Sequence, residues 1–319
     1  MLMYKSIIAL LILLSSTLYT KEIHPITTIE ASGLVSDFVE DAGYLYVATD
    51  AGVVDIIDLS TQKIVKQIHF EPMQISTGEY IPTRIHSVDR FKGETLLVTS
   101  GISAYRNVWI DDGKDLKKII DEKKHMMPKR AYFTSEGKIL FGSFGSDISL
   151  YDDKENYKLY HTHISESTMG GMILSHDKKK MIISDESGTV RMLDVKSSKV
   201  EKTFSSEHVD NIYRVAYSNG IIITAGQDRR VGIYAENKKP HHIKSDFLVY
   251  CVGLSPSGRT GVYSSGLKHD LQLFNTKNGK KSDRLIGHFA TPNKIMFINE
   301  TSLISTGDEN RIFFWKIDE

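Results

Sequence analysis

Apolar and β-branched residues occur along this chain in short runs, separated by polar turns rich in glycine, serine and asparagine. Short runs bounded by turn residues are typical of β-strands, and no helical period competes with them beyond the N-terminal segment. Continuous runs such as KILFGS at 138–143 and IIITAG at 221–226 predict strands buried on both faces. Polar runs such as KIVKQIHF at 63–70 predict half-exposed strands.

A period organises these runs. One strand in each unit ends on an apolar or aromatic residue, and these residues are Ile57, Ile110, Tyr151, Leu193, Tyr234, Phe274 and Trp315. Their successive spacings are 53, 41, 42, 41, 40 and 41 residues. A period of about 40–45 residues is typical of a four-stranded propeller blade. The pattern therefore predicts an all-β fold, a seven-bladed β-propeller of four-stranded antiparallel blades.

The two ends of the repeat predict how the ring closes. The last unit stops just after its third strand, so its fourth strand must come from elsewhere. The segment ITTIE at 26–30 precedes the first complete unit and has the composition of a strand. Donation of this strand to the last blade would close the ring and remove an open sheet edge. We expect residues 21–319 to form this single domain.

The first residues have the layout of a secretory signal peptide. Lys5 precedes the apolar run IIALLILL at 7–14, and small polar residues follow. The run is short for a membrane span, which takes about 20 residues. We therefore predict a signal peptide at 1–20, with cleavage after Thr17 or Thr20, and a periplasmic protein with no stable membrane insertion. An uncleaved membrane anchor is the alternative.

Charge and cysteine content narrow the function further. The 40 basic and 40 acidic side chains balance, so no global field attracts nucleic acid, and we expect none as a partner. Cys251 is the only cysteine, which excludes an intramolecular disulfide. Its apolar neighbours in LVYCVGL predict a buried structural residue rather than a nucleophile.

The units resemble WD40 repeats, and the last unit matches best. It carries Gly287 and His288, then STGDENRIFFW, although Trp-Lys replaces the family's Trp-Asp pair. The resemblance covers about residues 26–319 and implies buried networks of histidine, hydroxyl, acid and aromatic side chains that tie strands together. The residues in those positions are His208, Thr224, Asp228 and Tyr234 in one unit and His288, Ser305, Glu309 and Trp315 in the other. The export signal and the single cysteine also resemble an accessory propeller of periplasmic nitrate reductase systems.

The long first interval suggests one candidate binding region. Most of its excess lies in FEPMQISTGEYIPTR at 70–84, and a smaller part lies in SGISAYRN at 100–107. By analogy with WD40 propellers, both insertions lie on one face, where insertions often bind partners. The residue types suited to anchoring a partner are Tyr80, Arg84, Tyr105 and Arg106. Tolerated loop variation is the alternative interpretation.

The mouth of the central channel is a second candidate. The starts of the innermost strands bring a net positive set toward the axis: His86, Arg130, Tyr213, Arg214, Tyr250 and Lys294. Such a set suits an anionic ligand or an acidic partner surface. The alternative is the polar lining of a water-filled channel.

No catalytic motif stands out. The chain has no Gly-x-Ser-x-Gly elbow and no Cys-x-x-Cys-His, and the His161–His163 and His241–His242 pairs are too few for a metal site. We therefore predict no enzyme activity, no cofactor and no metal. The sequence favours an exported scaffold for protein partners, and the closer resemblance implies a periplasmic oxidoreductase of nitrate reduction as the partner. The alternatives are a propeller enzyme of lactonase or cofactor-dependent type and a small-anion sensor.

Overall fold

The computed structural model describes residues 20–236, 238–266 and 268–318. The predicted signal peptide lies outside the described residues except for Thr20. Seven sheets, each built on an antiparallel set of four strands that runs outward from a central channel, form blades 1–7 of a propeller. The strands of blades 1–4 are Val35–Asp41, Tyr44–Thr49, Val53–Asp58 and Lys63–His69; Ile85–Phe91, Glu94–Ser100, Arg106–Asp111 and Leu116–Ile120; Pro128–Phe133, Ile139–Ser143, Asp147–Asp152 and Tyr157–His163; Met169–Leu174, Lys180–Asp185, Val190–Asp194 and Val200–Phe204.

The remaining blades complete the predicted set of seven. The strands of blades 5–7 are Ile212–Ser218, Ile221–Gly226, Arg230–Ala235 and His241–Lys244; Val252–Leu254, Thr260–Ser265, Asp270–Asn275 and Lys281–Leu285; Pro292–Phe297, Ser302–Gly307, Arg311–Lys316 and Thr27–Glu30. The all-β, seven-bladed prediction is confirmed. The only helical segments among the described residues are two short 3-10 turns, Ile102–Ala104 and Glu122–Lys124.

The core is divided among the blade interfaces. Second strands such as Tyr44–Thr49 are almost wholly buried because each blade is covered by its neighbours on both sides, which explains their continuous apolar runs. The outermost strand Lys63–His69 is exposed except at Ile68. Seven apolar clusters fill the seven interfaces, and the cluster between blades 7 and 1 includes Phe38 and Phe314.

Ring closure follows the prediction and adds one strand to it. Thr27–Glu30 pairs antiparallel with Arg311–Lys316, with Ile29 opposite Ile312, so the N-terminal segment completes blade 7. The two-residue strand Glu22–Ile23 also pairs, in parallel, with Lys281–Leu285 and makes blade 6 five-stranded. The sequence did not predict this strand, because two residues carry no period.

The meander gives the ring two distinct faces. We define the upper face as the one that carries the turns between second and third strands and the connections from each outermost strand to the next blade; the lower face carries the other turns. Both insertions of blade 2 lie on the upper face. Residues 70–84 form a hairpin of Met73–Gln74 and Tyr80–Ile81, whose turn uses Gly78 at φ 87°, and residues 100–107 contain a 3-10 turn.

Candidate functional site

A buried network of blade 7 lies beneath the upper face. His288 Nε2 is 2.7 Å from Ser305 Oγ, which accepts a 2.8 Å hydrogen bond from Trp315 Nε1, and His288 Nδ1 is 3.0 Å from Glu309. The indole can only donate a hydrogen bond. Every group is therefore satisfied when the Ser305 hydroxyl donates to His288 Nε2 and the His288 Nδ1–H donates to the Glu309 carboxylate. Burial lowers the pKa of His288 despite Glu309, so the ring is neutral.

Blade 5 has a related but shorter network. His208 Nε2 is 2.6 Å from Thr224 Oγ1, and Nδ1 is 3.0 Å from Asp228. Gly232 is required here, because a Cβ at that position would lie 2.5 Å from Thr224 Oγ1. Tyr234 is fully buried next to the network, but its hydroxyl makes no hydrogen bond to a described residue. The predicted residues thus come together, but the bond from the aromatic residue is made only in blade 7.

The two networks also fix the residues that follow their histidines. Asp228 accepts a 3.0 Å hydrogen bond from the backbone N–H of Val209, and Glu309 accepts one of 3.3 Å from that of Phe289. The side chains of Val209 and Phe289 are 74% and 73% exposed on the upper face. Exposed apolar side chains on a rigid backbone bind a partner with little loss of conformational entropy.

Other blades use different buried acids for the same purpose. In blade 1, Asp55 accepts hydrogen bonds from Ser32 and Gln67. In blade 4, the buried Asp185 accepts bonds from Ser165 and Arg191. Sequence reasoning missed these acids, since neither blade has a histidine in the position that marked the other two, His208 and His288.

The upper face carries further exposed apolar residues besides Val209 and Phe289. These are Leu34, Tyr80, Ile81, Ile102 and Met127. On the lower face the corresponding residues are fewer, namely Ile26, Tyr44 and Ile298. Apolar exposure on the two flat ends of the ring is therefore concentrated on one of them, as expected of an interaction surface.

The four predicted partner-binding residues of blade 2 have different environments. Tyr80 is 69% exposed on the hairpin, where it is free to contact a partner. Tyr105 is half-buried and stacks on His125 with 4.6 Å between ring centroids. Arg106 donates a 2.7 Å hydrogen bond to the Pro128 carbonyl and, like the exposed Arg84, lies within the field of the channel-mouth charges. Geometry thus groups only Tyr80 with the exposed apolar set.

The channel-mouth residues lie where the innermost strands begin. Pairing with the second strand shifts register there in several blades, for example between Pro128 and Arg130 and between Ile212 and Arg214. Such bulges turn side chains out of the regular alternation. Two aromatic members of the set, Tyr213 and Tyr250, stack with 5.6 Å between centroids, and Tyr213 donates to Gln227.

One buried carboxylate, unnoticed in the sequence, organises the cations. Asp37 is 4% exposed. Its carboxylate forms salt bridges with the Arg130 guanidinium at 2.8 Å and with the Lys294 ammonium at 2.5 Å. The backbone N–H of Val88 donates to it as well, so Asp37 of blade 1 joins strands of blades 2, 3 and 7. Burial alone would raise the pKa of Asp37, but Arg130 and Lys294 hold it below its usual value.

Positive charge around Asp37 exceeds what this carboxylate can neutralise. Burial, and then Arg214 and Arg130, lower the pKa of Lys129 to about 8. Burial and Arg130 lower the pKa of Arg214 to about 10, and burial and the neighbouring arginines lower that of Arg106 to about 10. Burial, then Arg106, Arg84 and Arg130, lower the pKa of His86 to about 3.

We expect the free energy of unfolding to fall as pH drops below about 6.5, the ordinary pKa of histidine. Burial lowers the pKa values of His86, His208 and His288, so the unfolded chain binds protons that the fold excludes. Each histidine that stays neutral contributes a slope of about 1.4 kcal/mol per pH unit. Urea unfolding between pH 7 and 5 measures it, and His86→Gln should reduce the slope.

His163 is the matched control for this prediction. It is exposed, and its hydrogen bond with Asp147 raises its pKa, so its protonation favours the folded state. His163→Gln should therefore not reduce the slope. A slope that is the same in the His86 variant as in the parent would contradict the account.

Other chemistry finds little support among the described residues. They contain no group of three His, Cys, Asp or Glu side chains arranged to hold a metal ion. Cys251 is buried, as predicted, and burial raises the pKa of its thiol to about 12, which disfavours the reactive thiolate. No helix in the described ranges is long and apolar enough to cross a membrane.

Comparison with known proteins identifies the type of fold. No family model matches the chain. The β-propeller domain of Cps50 (Swd1) from Myceliophteria thermophila superposes with a TM-score of 0.72 over 92% of this chain and 99% of that chain, at 13% identity. This likeness shows the fold, a WD40-type seven-bladed propeller.

Two curated relatives match by sequence. Actin-interacting protein 1 of Caenorhabditis elegans is 25% identical over 218 residues, 64% of this chain and 34% of that protein. Autophagy-related protein 16 of Arabidopsis thaliana is 22% identical over 182 residues, 55% of this chain and 35% of that protein. The matches thus span about a third of each relative. Neither bears on the closer resemblance to a nitrate reductase accessory propeller, which stays a prediction.

Proposed function

We propose that this chain is a protein-interaction module that docks its partner on the upper face. The observation that carries the proposal is the pair of exposed apolar residues, Val209 and Phe289, whose backbones are fixed by buried networks. Apolar side chains on pre-organised backbone are suited to anchoring a partner. Actin-interacting protein 1, by its name, also acts by binding a protein.

The partner surface that fits this face is apolar with acidic groups. Leu34, Tyr80 and Phe289 offer apolar contact on the upper face, and Arg130 and Arg214 lie at the channel mouth on the same side. Charge complementarity of this kind speeds encounter and fixes orientation. A scaffold role accounts for these features without a catalytic group.

We propose further that the partner is met outside the cytoplasm. The leader-like segment at 1–20 supports export. A respiratory oxidoreductase, such as a nitrate reductase, is the specific partner that the resemblance suggests. An enzymatic role has no observation of its own in its favour.

Paired substitutions test the docking face. Val209→Ser with Phe289→Ser should weaken capture of the partner from the native extract by at least about tenfold for each anchor. The matched control is Val65→Ser with Tyr157→Ser, which changes residues that are 54% and 62% exposed on outermost strands. Quantitative mass spectrometry of captured protein measures both. Equal capture by both variants and the parent would refute the assignment of this face.

A further inference from the structure

Three cations near the channel mouth, unlike Arg130 and Lys294, are held without a carboxylate partner in the part of the chain that the structure describes. Arg214 donates to the Tyr213 carbonyl at 3.2 Å, Lys129 donates to the Met169 carbonyl, and Arg106 donates to the Pro128 carbonyl at 2.7 Å. None of the three forms a salt bridge with a carboxylate among the described residues. Backbone carbonyls orient these cations but do not neutralise their charge.

The arrangement is also pre-organised. The guanidinium of Arg106 and the ammonium of Lys129 lie over the same Phe144 ring, 4.8 Å and 5.3 Å from its centroid. The remaining N–H groups of Arg214 have no acceptor among the described residues, and the residue is only partly buried. Donors fixed in this way can bind an oxyanion without a large loss of side-chain entropy.

Asp37 shows that the channel mouth can hold an anion by pairing it with two cations. Its carboxylate, on the blade 1 side, already receives Arg130 and Lys294. On the opposite side, and beyond the effect of burial, Arg214 and Arg130 lower the pKa of Lys129, and Arg130 lowers the pKa of Arg214, as neighbouring cations do. Blade 4, which lies between them, has Gly170 and Gly171 at the equivalent positions and contributes no side chain there.

We propose that Lys129, Arg214 and Arg106 form a second anion site at the channel mouth, which binds an oxyanion with carboxylate or phosphate chemistry. The proposal relies on the docking function only for one source of that anion, an acidic side chain of the bound protein. The other source is a free oxyanion such as phosphate. Charge-assisted hydrogen bonds from arginine and lysine suit both.

Calorimetric titration of the purified full chain distinguishes these sources. The probes are inorganic phosphate and a capped hexaglutamate peptide, added at constant ionic strength. We expect saturable one-site binding that weakens about tenfold or more in Arg214→Gln and in Lys129→Gln, since each removes a charge-assisted bond. Arg259→Gln, which removes an exposed charge from a lower-face turn, should leave binding unchanged.

Each outcome decides the proposal. Binding of both probes with this dependence supports a site open to acidic side chains, and binding of phosphate alone supports a free oxyanion. Absence of saturation up to about 10 mM with both probes, or equal affinity in all variants, overturns it. Two variants guard against misfolding, although removal of a repelling charge should not destabilise the fold. Because no partner is needed, the anion site can fail while the docking test with Val209 and Phe289 succeeds.

Discussion

Replacement of Asp37 by alanine is expected to lower the free energy of unfolding by about 3–5 kcal/mol, the usual cost of leaving a buried ion pair without one partner. The loss is large because Asp37 is the shared acceptor of Arg130 and Lys294 and of the Val88 N–H. Its removal leaves two cations next to Arg214, which is positive as well. Urea unfolding followed by tryptophan fluorescence measures the loss.

A second substitution separates charge from packing. Lys294→Met in the Asp37→Ala background removes one of the stranded cations, so the double variant should be more stable than Asp37→Ala alone by at least about 1 kcal/mol. If the double variant is less stable than the single one, electrostatic repulsion is not the cause. A loss below about 1 kcal/mol for Asp37→Ala would show that the mouth is hydrated rather than held by this carboxylate.

Replacement of Trp315 by alanine is expected to cost about 3–5 kcal/mol of unfolding free energy, as for other buried tryptophans. Trp315 is 1% exposed and packs in the cluster between blades 6 and 7, where it also donates to Ser305. Trp315→Phe keeps most of the packing and should cost only about 1–2 kcal/mol, the value of the lost hydrogen bond. Far-UV circular dichroism in urea reports both variants.

Trp109 offers the matched comparison in blade 2. It also donates to a strand hydroxyl, that of Thr99 at 3.0 Å, but its ring is only partly buried. Trp109→Ala should therefore destabilise the protein less than Trp315→Ala. Equal losses would mean that burial in the blade interface does not set the contribution of Trp315.

The number of blades and the ring closure could be predicted because each depends on local pattern. Residues such as Tyr234 and Phe274 recur at the same position in each unit, and the number of these recurring residues gives the number of blades. The strand Thr27–Glu30 was predicted because blade 7 lacked a fourth strand and the segment had strand composition. Glu22–Ile23 had neither signal, and its pairing with Lys281–Leu285 is a tertiary contact.

The site was predictable where a motif encodes it and not elsewhere. His208 and His288 were found because their blades keep the Gly-His or related pattern, and their hydroxyl and acid partners lie at fixed spacing. Asp37 was missed because nothing in VSDFVED distinguishes it from a solvent-facing residue of an alternating strand. Its partners Arg130 and Lys294 are brought near only when the ring closes.

The most direct test of the docking face is site-specific photo-crosslinking in the native cell. A photoreactive phenylalanine analogue would replace Tyr80 or Phe289 on the upper face, and Tyr44 on the lower face or Tyr157 on an outermost strand as controls. The account predicts a crosslinked protein at Tyr80 and Phe289 and none at the two control positions. Crosslinks confined to Tyr44 or Tyr157, or equal at all four positions, would contradict docking on the upper face.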